Sequence, residues 1–245
     1  NNTVAGIGYD GSEYVGSSIL VIGSAFGDML IDNNAIYDAQ MGIYLYDGSA
    51  LISNNHIEIE KIGDFSYGII ASDPPTVPPQ PYGEEGLTVS SQTADSRAIL
   101  PVAIKDNNII LTGSDVSDTW GILAEGGWTL YDLDLTITGN IITGFDYGVE
   151  IYQADESSGE IINVDATENC IVESSSYGMF SNAEAIQVNA INNFWGDASG
   201  PYHPSLNLDG EGGQVSDGID FEPWWLYCEY QEPEYQYYMP LILSP

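Results

Sequence analysis

Basic residues are almost missing from this chain of 245 residues: 3 Lys+Arg stand against 37 Asp+Glu, a formal net charge of −34. Charged residues make up only 16% of the total, so the acidity reflects the shortage of bases, not acidic runs. Such a surface repels nucleic acid and anionic membranes and attracts divalent cations. Histidine and cysteine are equally scarce, at 2 each. Neither His56 nor His203 has a Cys or a second His at metal-ligand spacing, which leaves no zinc motif to read. No apolar run reaches membrane-spanning length, so no membrane insertion is expected. No window carries a helical hydrophobic stripe. Apolar and aromatic residues, by contrast, are plentiful: 43% hydrophobic, with 17 Tyr and 5 Trp, which argues against disorder despite the charge.

One unit recurs along the chain: an Asn pair, intact or degenerate, followed by apolar residues and then by Gly with an apolar neighbour. Asn33-Asn34-Ala35-Ile36 leads to Gly42-Ile43, and Asn54-Asn55-His56-Ile57 leads to Gly68-Ile69. Asn107-Asn108-Ile109 leads to Gly121-Ile122, Gly139-Asn140-Ile141 to Gly148-Val149, and Glu168-Asn169-Cys170 to Gly178-Met179. The last copy, Asn192-Asn193-Phe194-Trp195, opens a segment that occurs once. The intervals are 21 (33 to 54), 53 (54 to 107), 32 (107 to 139), 29 (139 to 168) and 24 (168 to 192). Loops of unequal length on a regular core produce such irregular spacing. The longest interval holds the proline run from Asp73 to Pro81, which cannot join a strand ladder; an inserted loop is expected over 73–101.

Within each unit the period is two. Leu133, Leu135 and Ile137 alternate with Asp134, Thr136 and Thr138. Ile186, Val188 and Ala190 are expected to point inward, with Gln187 and Asn189 outward. Short strands with a recurrent Asn and a recurrent Gly fit a right-handed parallel β-helix better than a β-sandwich, which gives no reason for the two motifs to recur in order. Asn tolerates the left-handed backbone of a tight corner, and stacked Asn amides can bond along the axis as a ladder. Gly serves where φ is positive or where backbones approach closely. The expected organisation is therefore an all-β solenoid of coils over 1–192, a closing or capping segment over 193–228, and a Tyr-rich tail over 229–245. Asn1-Asn2-Thr3-Val4 already reads as a corner followed by a strand.

These repeats resemble those of secreted right-handed β-helix proteins, the broad group that includes pectate lyases and many surface proteins. The segment Asn193-Phe194-Trp195-Gly196-Asp197-Ala198-Ser199-Gly200-Pro201, then Val215-Ser216-Asp217 and Phe221-Glu222-Pro223-Trp224-Trp225, is similar to the closing motif of bacterial and archaeal β-helix surface proteins. That resemblance implies a fold and a structural end-piece, and no activity.

Candidate chemistry is thin. A pectate-lyase type of site needs a base to take the proton α to a carboxylate. The whole supply is Lys61, Arg97 and Lys105, none in an acid-plus-base cluster. A glycosidase needs two carboxylates at a set separation; Asp132/Asp134 and Asp155/Glu156 are pairs of that kind, and solvated outward carboxylates explain them as well. Asn207-Leu208-Asp209-Gly210-Glu211-Gly212 resembles the front of a calcium loop without its closing bidentate acid, so Asp209, Glu211 and Asp217 are the candidate Ca²⁺ ligands. No cofactor is required; calcium is the one candidate. Outward Tyr44, Tyr46 and Tyr152 are candidates for a sugar-stacking platform, against ordinary exposed strand aromatics. Cys170 and Cys228 allow either one disulfide or a buried thiol at Cys170 with an unrelated Cys228.

The chain opens on Asn1 without a basic, apolar leader, and the simplest reading is a processed protein located outside the cell or on its surface. The leading expectation is a non-catalytic structural or surface protein whose main partner is itself. The apolar tail Met239, Pro240, Leu241, Ile242 and Leu243, behind Tyr235 to Tyr238, would add to the next subunit and build a head-to-tail filament. A carbohydrate-binding or adhesin module is the first alternative, and a polysaccharide lyase or hydrolase the second.

Overall fold

The structure is a computed structural model describing residues 1–9, 16–72, 99–126, 132–154, 161–183 and 186–228. Every regular element among them is a strand. The first coil holds β1 (Thr3–Ala5) and β2 (Ser17–Asp32), and the second β3 (Ala35–Ala39) and β4 (Met41–Ser53). The third holds β5 (His56–Glu60), β6 (Ser66–Ser72) and β7 (Ile99–Lys105). The fourth holds β8 (Asn108–Thr112), β9 (Thr119–Gly126) and β10 (Asp132–Thr138). β11 (Ile141–Thr143), β12 (Tyr147–Gln153) and β13 (Ile161–Thr167) form the fifth. β14 (Cys170–Val172), β15 (Tyr177–Ser181) and β16 (Val188–Asn189) form the sixth, before β17 (Ile219–Asp220).

Like positions of successive coils pair in parallel, which gives three stacked sheets. The first is β1-β3-β5-β8-β11-β14, in chain order. The second runs β2-β4-β6-β9-β12-β15 and the third β2-β4-β7-β10-β13-β16-β17. The long strands β2 and β4 take part in both, so these two sheets merge on the N-terminal side. β7 begins at Ile99, so the third sheet takes up the last residues assigned to the inserted loop; residues 73–98 lie outside the described residues.

The core is a set of columns. Ile36, Ile57, Ile109, Ile142 and Ile171 are matched residue for residue in the first sheet, and all are buried. In the second sheet Ile43, Ile69, Ile122, Val149 and Met179 do the same. Coils about 4.8 Å apart place each side chain on its equivalent below. Burial of each contributes roughly 1.5–3 kcal/mol. Val188 and Ala190 point inward and Gln187 is exposed, as the alternation predicts; Ile186 is partly buried against the same core.

The Asn pair divides two tasks. Its first member takes the left-handed turn: Asn33, Asn54, Asp106, Gly139, Glu168 and Asn192 have φ of 58°, 53°, 54°, 68°, 61° and 59°. Its second member bonds along the axis and, from Asn34 to Asn193, is buried. The Nδ2 of Asn2, Asn34, Asn55, Asn107, Asn140 and Asn169 each donates to the next Oδ1, ending at Asn193, over 2.9–3.0 Å. The backbone N–H of each donates to the same oxygen. Asn107-Asn108 is therefore the wrong pair: the corner is Asp106-Asn107, and Asn108 is the first residue of β8. The sequence frame slips there because Asp replaces Asn at the turn position.

The recurrent Gly is needed for space. None of Gly42, Gly68, Gly121, Gly148 and Gly178 has positive φ. A Cβ on Gly121 would lie 2.6 Å from the Gly148 carbonyl oxygen and 2.3 Å from Ile142 Cγ2, and the other column members up to Gly148 meet the same pair of obstacles.

Residues 193–228 do not simply lie across the end. Phe194 bridges to Cys170 on the first sheet, Val215 to Met179 on the second, and β17 pairs with β16 on the third. The closing segment thus adds one more rung to every sheet. Trp195 is buried beneath it, Trp225 N–H donates to the Asn193 carbonyl, and Cys228 is disulfide-bonded to Cys170. Of the two cysteine readings, the structure has the bridge.

Candidate binding face

Inward residues of the second sheet form core, and outward ones form a grid of three columns. The first column is Met41, Tyr67, Trp120, Tyr147 and Tyr177. The second is Tyr44, Ile70, Leu123, Glu150 and Phe180. The third is Tyr46, Ser72, Glu125 and Tyr152. In-register parallel strands lay equivalent side chains one coil apart, close to the stacking distance of aromatic rings. Tyr67 and Trp120 stack at 4.9 Å and 16°, Trp120 and Tyr147 at 5.8 Å and 12°, Tyr147 and Tyr177 at 5.8 Å and 16°. Phe180 meets Tyr177 edge-on at 5.1 Å. Under these rings Met41, Ile70 and Leu123 are buried although they face outward, with Tyr44, Tyr67 and Trp120 packed against them.

Tyr44, Tyr46 and Tyr152 are on this face, as expected of a platform, yet they are its margin. Tyr44 and Tyr46 meet edge to face at 5.9 Å. The central stack was missed because its members are one residue before the column Gly, in copies separated by loops of unequal length. Its inner rings use both faces on one another, so they offer edges and hydroxyls outward.

Glu125 and Glu150 stand among these rings. Ser72 Oγ donates to Glu125 Oε2 at 2.9 Å, and Trp120 Nε1 donates to Glu150 Oε2. Burial raises the pKa of both carboxyls; one hydrogen bond each offsets it, and the Glu125 charge adds to the rise at Glu150. Burial and then the Glu125 charge push the Tyr44 phenol up to about 12, and Tyr67 is raised by burial and then by both carboxylates. The parallel register places Glu150 beside Leu123 and Glu125 beside Tyr152. The two acids are thus on neighbouring coils, two residues apart along the strand, about 8 Å between Cα atoms.

Other candidates are dispersed. Lys61 Nζ donates to the carbonyls of Asp64 and Asp118, Lys105 is in the third sheet, and Arg97 lies outside the described residues. Asp134 Oδ1 accepts from Asn163 Nδ2 on the third sheet, and Asp155/Glu156 lie outside the described residues. His56 pairs with Glu58 at 2.9 Å. His203 is buried; its Nδ1 accepts the N–H groups of Ser205 and Leu206 at 3.2 and 3.1 Å, and Nε2 faces Asp217 Oδ1 at 3.3 Å. It shapes the closing loop, as a structural residue should.

The calcium set is not assembled. Asp217 sets one oxygen against His203 and is otherwise exposed, and Gly210 and Asn207 pack on the Pro201 carbonyl instead of turning a ligand loop. Among the described residues no three His, Cys, Asp or Glu side chains come together to hold a metal ion. Asp209, Glu211 and Asp217 were read from spacing, and the loop folds to serve the closing rung. The tail from Met239 to Leu243 lies outside the described residues. No helix among the described residues is long and apolar enough to cross a membrane.

No family model matches this chain, and no curated protein or solved structure matches it either.

Proposed function

We propose that this chain is a non-catalytic extracellular surface protein, a right-handed β-helix capped by its closing segment, whose second-sheet face binds neutral carbohydrate. One observation carries the reading: two partly buried carboxylates, Glu125 and Glu150, sit among aromatic rings on the outside of the rod, where folding alone does not require them. Each has one oxygen bonded within the face. The other is left to accept from a ligand hydroxyl, and ring edges supply apolar contact. A net charge of −34 disfavours uronic and nucleic polymers. The disulfide supports an oxidising compartment. The test is affinity electrophoresis of the folded protein in gels of neutral and uronic polysaccharides. Retardation by a neutral polymer, abolished in Glu125→Ala/Glu150→Ala and insensitive to salt, is the expected result. Retardation by polyuronates alone, or binding that collapses with salt as for a cationic ligand, overturns it.

Head-to-tail assembly is the second reading. Among the described residues β1 and β2 have strand partners on one side only, and Leu20, Ile22 and Leu30 are exposed there. Deleting 235–245 and imaging the product tests it; filaments that persist rule out the tail as the linker.

A further inference from the structure

The ring stack on the second sheet ends abruptly, and its end is a cleft. From the third coil to the sixth, the residue before the column Gly is aromatic: Tyr67, Trp120, Tyr147 and Tyr177. The closing rung passes over the same column as Gly212-Gly213, with Gly213 against Gly178. No ring is therefore laid on Tyr177, and among the described residues its outer face has no stacking partner, since Tyr147 takes the inner face and Phe180 the edge. Neither glycine can be replaced by a ring. A Cβ on Gly212 would lie 2.6 Å from the Trp195 carbonyl oxygen, and one on Gly213 3.1 Å from the Gly178 Cα. The close approach that lets the last rung join the sheet is what leaves the position open.

Tyr177 and Phe180 form one wall of a cleft of about 630 Å³. Asn182, Gln214, Ser216 and Asp217 supply its polar lip. Asn182 is held by Gln153, accepting its N–H at 2.6 Å and donating to its carbonyl at 3.0 Å. The Ser216 hydroxyl is held by Ser181 and Asp217. Asn182 and Ser216 are thus fixed in place, while Asp217 turns only one oxygen toward His203. Phe180 is opposite Glu150 in register, so this wall of the cleft adjoins the carboxylate face.

We infer that this cleft takes one neutral pyranose unit of a carbohydrate chain, stacked on Tyr177 as the next rung of the aromatic column and hydrogen-bonded through its hydroxyls to Gln214 and Asp217. The inference rests on the carbohydrate reading above and adds the subsite that anchors the chain. A pyranose matches the vacancy for three reasons. It is a ring with an apolar C–H face for Tyr177, it carries hydroxyl donors for an acidic lip, and it bears no charge to be repelled by it. A nucleobase offers the same flat face but arrives with phosphates.

The test is calorimetric titration of the whole protein with neutral β-linked hexasaccharides of glucose, mannose and galactose, with saturation-transfer NMR to identify the rings touched. The wild type should bind at least one of them, with transfer from tyrosine and phenylalanine protons. Tyr177→Leu should weaken binding by up to about tenfold, the loss expected for one aromatic stacking contact. Gln214→Trp, which fills the lip from a side chain that has no partner among the described residues, should abolish it while the melting temperature stays at the wild-type value. If the wild type binds and both variants bind equally well, the subsite is wrong and the carbohydrate reading survives. A wild type that binds none of the hexasaccharides overturns both. If, titrated in the same way, only a blocked Glu-Tyr-Gln-Tyr peptide with the sequence of residues 234–237 binds, the cleft belongs to a protein segment and the inference is overturned.

Discussion

Two stacks follow the same coil spacing, amides inside and rings outside, and they differ in what they tolerate. The inner stack has a member in every coil, from Asn2 to Asn193. The outer stack occupies the middle of the second sheet and lapses at both ends, into Met41 and into Gly212-Gly213. The reason is solvent. A missing amide inside leaves buried N–H and C=O groups that water cannot reach, whereas a missing ring outside leaves a surface that water or a ligand can cover. The inner column is therefore fixed by folding, and the outer one is free to be shaped by function.

Variants from the interior outward probe this contrast. Val188→Asp should have the largest effect: an unpaired charge in a fully buried column costs about 3–5 kcal/mol, and no folded product should be recovered on expression. A Val188→Asp protein that melts normally would mean that the strand phase is wrong.

Next comes Asn107→Leu. Asn107 donates to Ile52 C=O and Asn140 Oδ1 and accepts from Asn55 N–H and Nδ2. Orphaning those partners should destabilise by about 3 kcal/mol, read from chemical denaturation. Tyr147→Leu, the same kind of deletion in the outer stack, should cost only about 1–2 kcal/mol, because Trp120 and Tyr177 remain accessible to solvent or ligand. Equal losses for the two variants would erase the distinction drawn between the stacks.

The smallest effect is a matter of pH. Burial raises the Glu125 carboxyl in the folded state, so the unfolded chain gives up that proton first as pH rises. Stability is then whole below the ordinary carboxylate pKa and reduced above the folded one. Glu125→Gln should match the wild type near about pH 4 and melt higher at about pH 7. A variant whose advantage is the same at both values would show that desolvation of the anion is not the cause.

Much of the fold was legible because it obeys local rules. Alternation placed Val188 and Ala190 inside, and the Asn and Gly recurrences located the corners and the narrow crossing. Other features were hidden for identifiable reasons. Asp106 obscured one corner, since the turn position accepts any residue that endures positive φ, and only the ladder position demands Asn. The calcium reading of Asp209, Glu211 and Asp217 came from spacing along a loop, which says nothing of what the loop packs on; among the described residues no three such side chains gather, and Asn207 turns to the Pro201 carbonyl. The candidate site was half visible: Tyr44, Tyr46 and Tyr152 could be read as outward by period, but Trp120, Glu125 and Glu150 could not be read as neighbours of Tyr67 and Tyr147.

By itself the sequence determined the coil: strand period, corner amide, close-approach Gly, and a net charge of −34. These follow from chemistry within one repeat, where a few adjacent residues meet the same backbone every time. Register between repeats was decided only in three dimensions, because intervals of 21 to 52 residues between ladder asparagines separate side chains that end up one coil apart. That register builds the aromatic stack, brings two carboxylates onto one face, ties Cys170 to Cys228, and leaves the last rung of the stack without a ring.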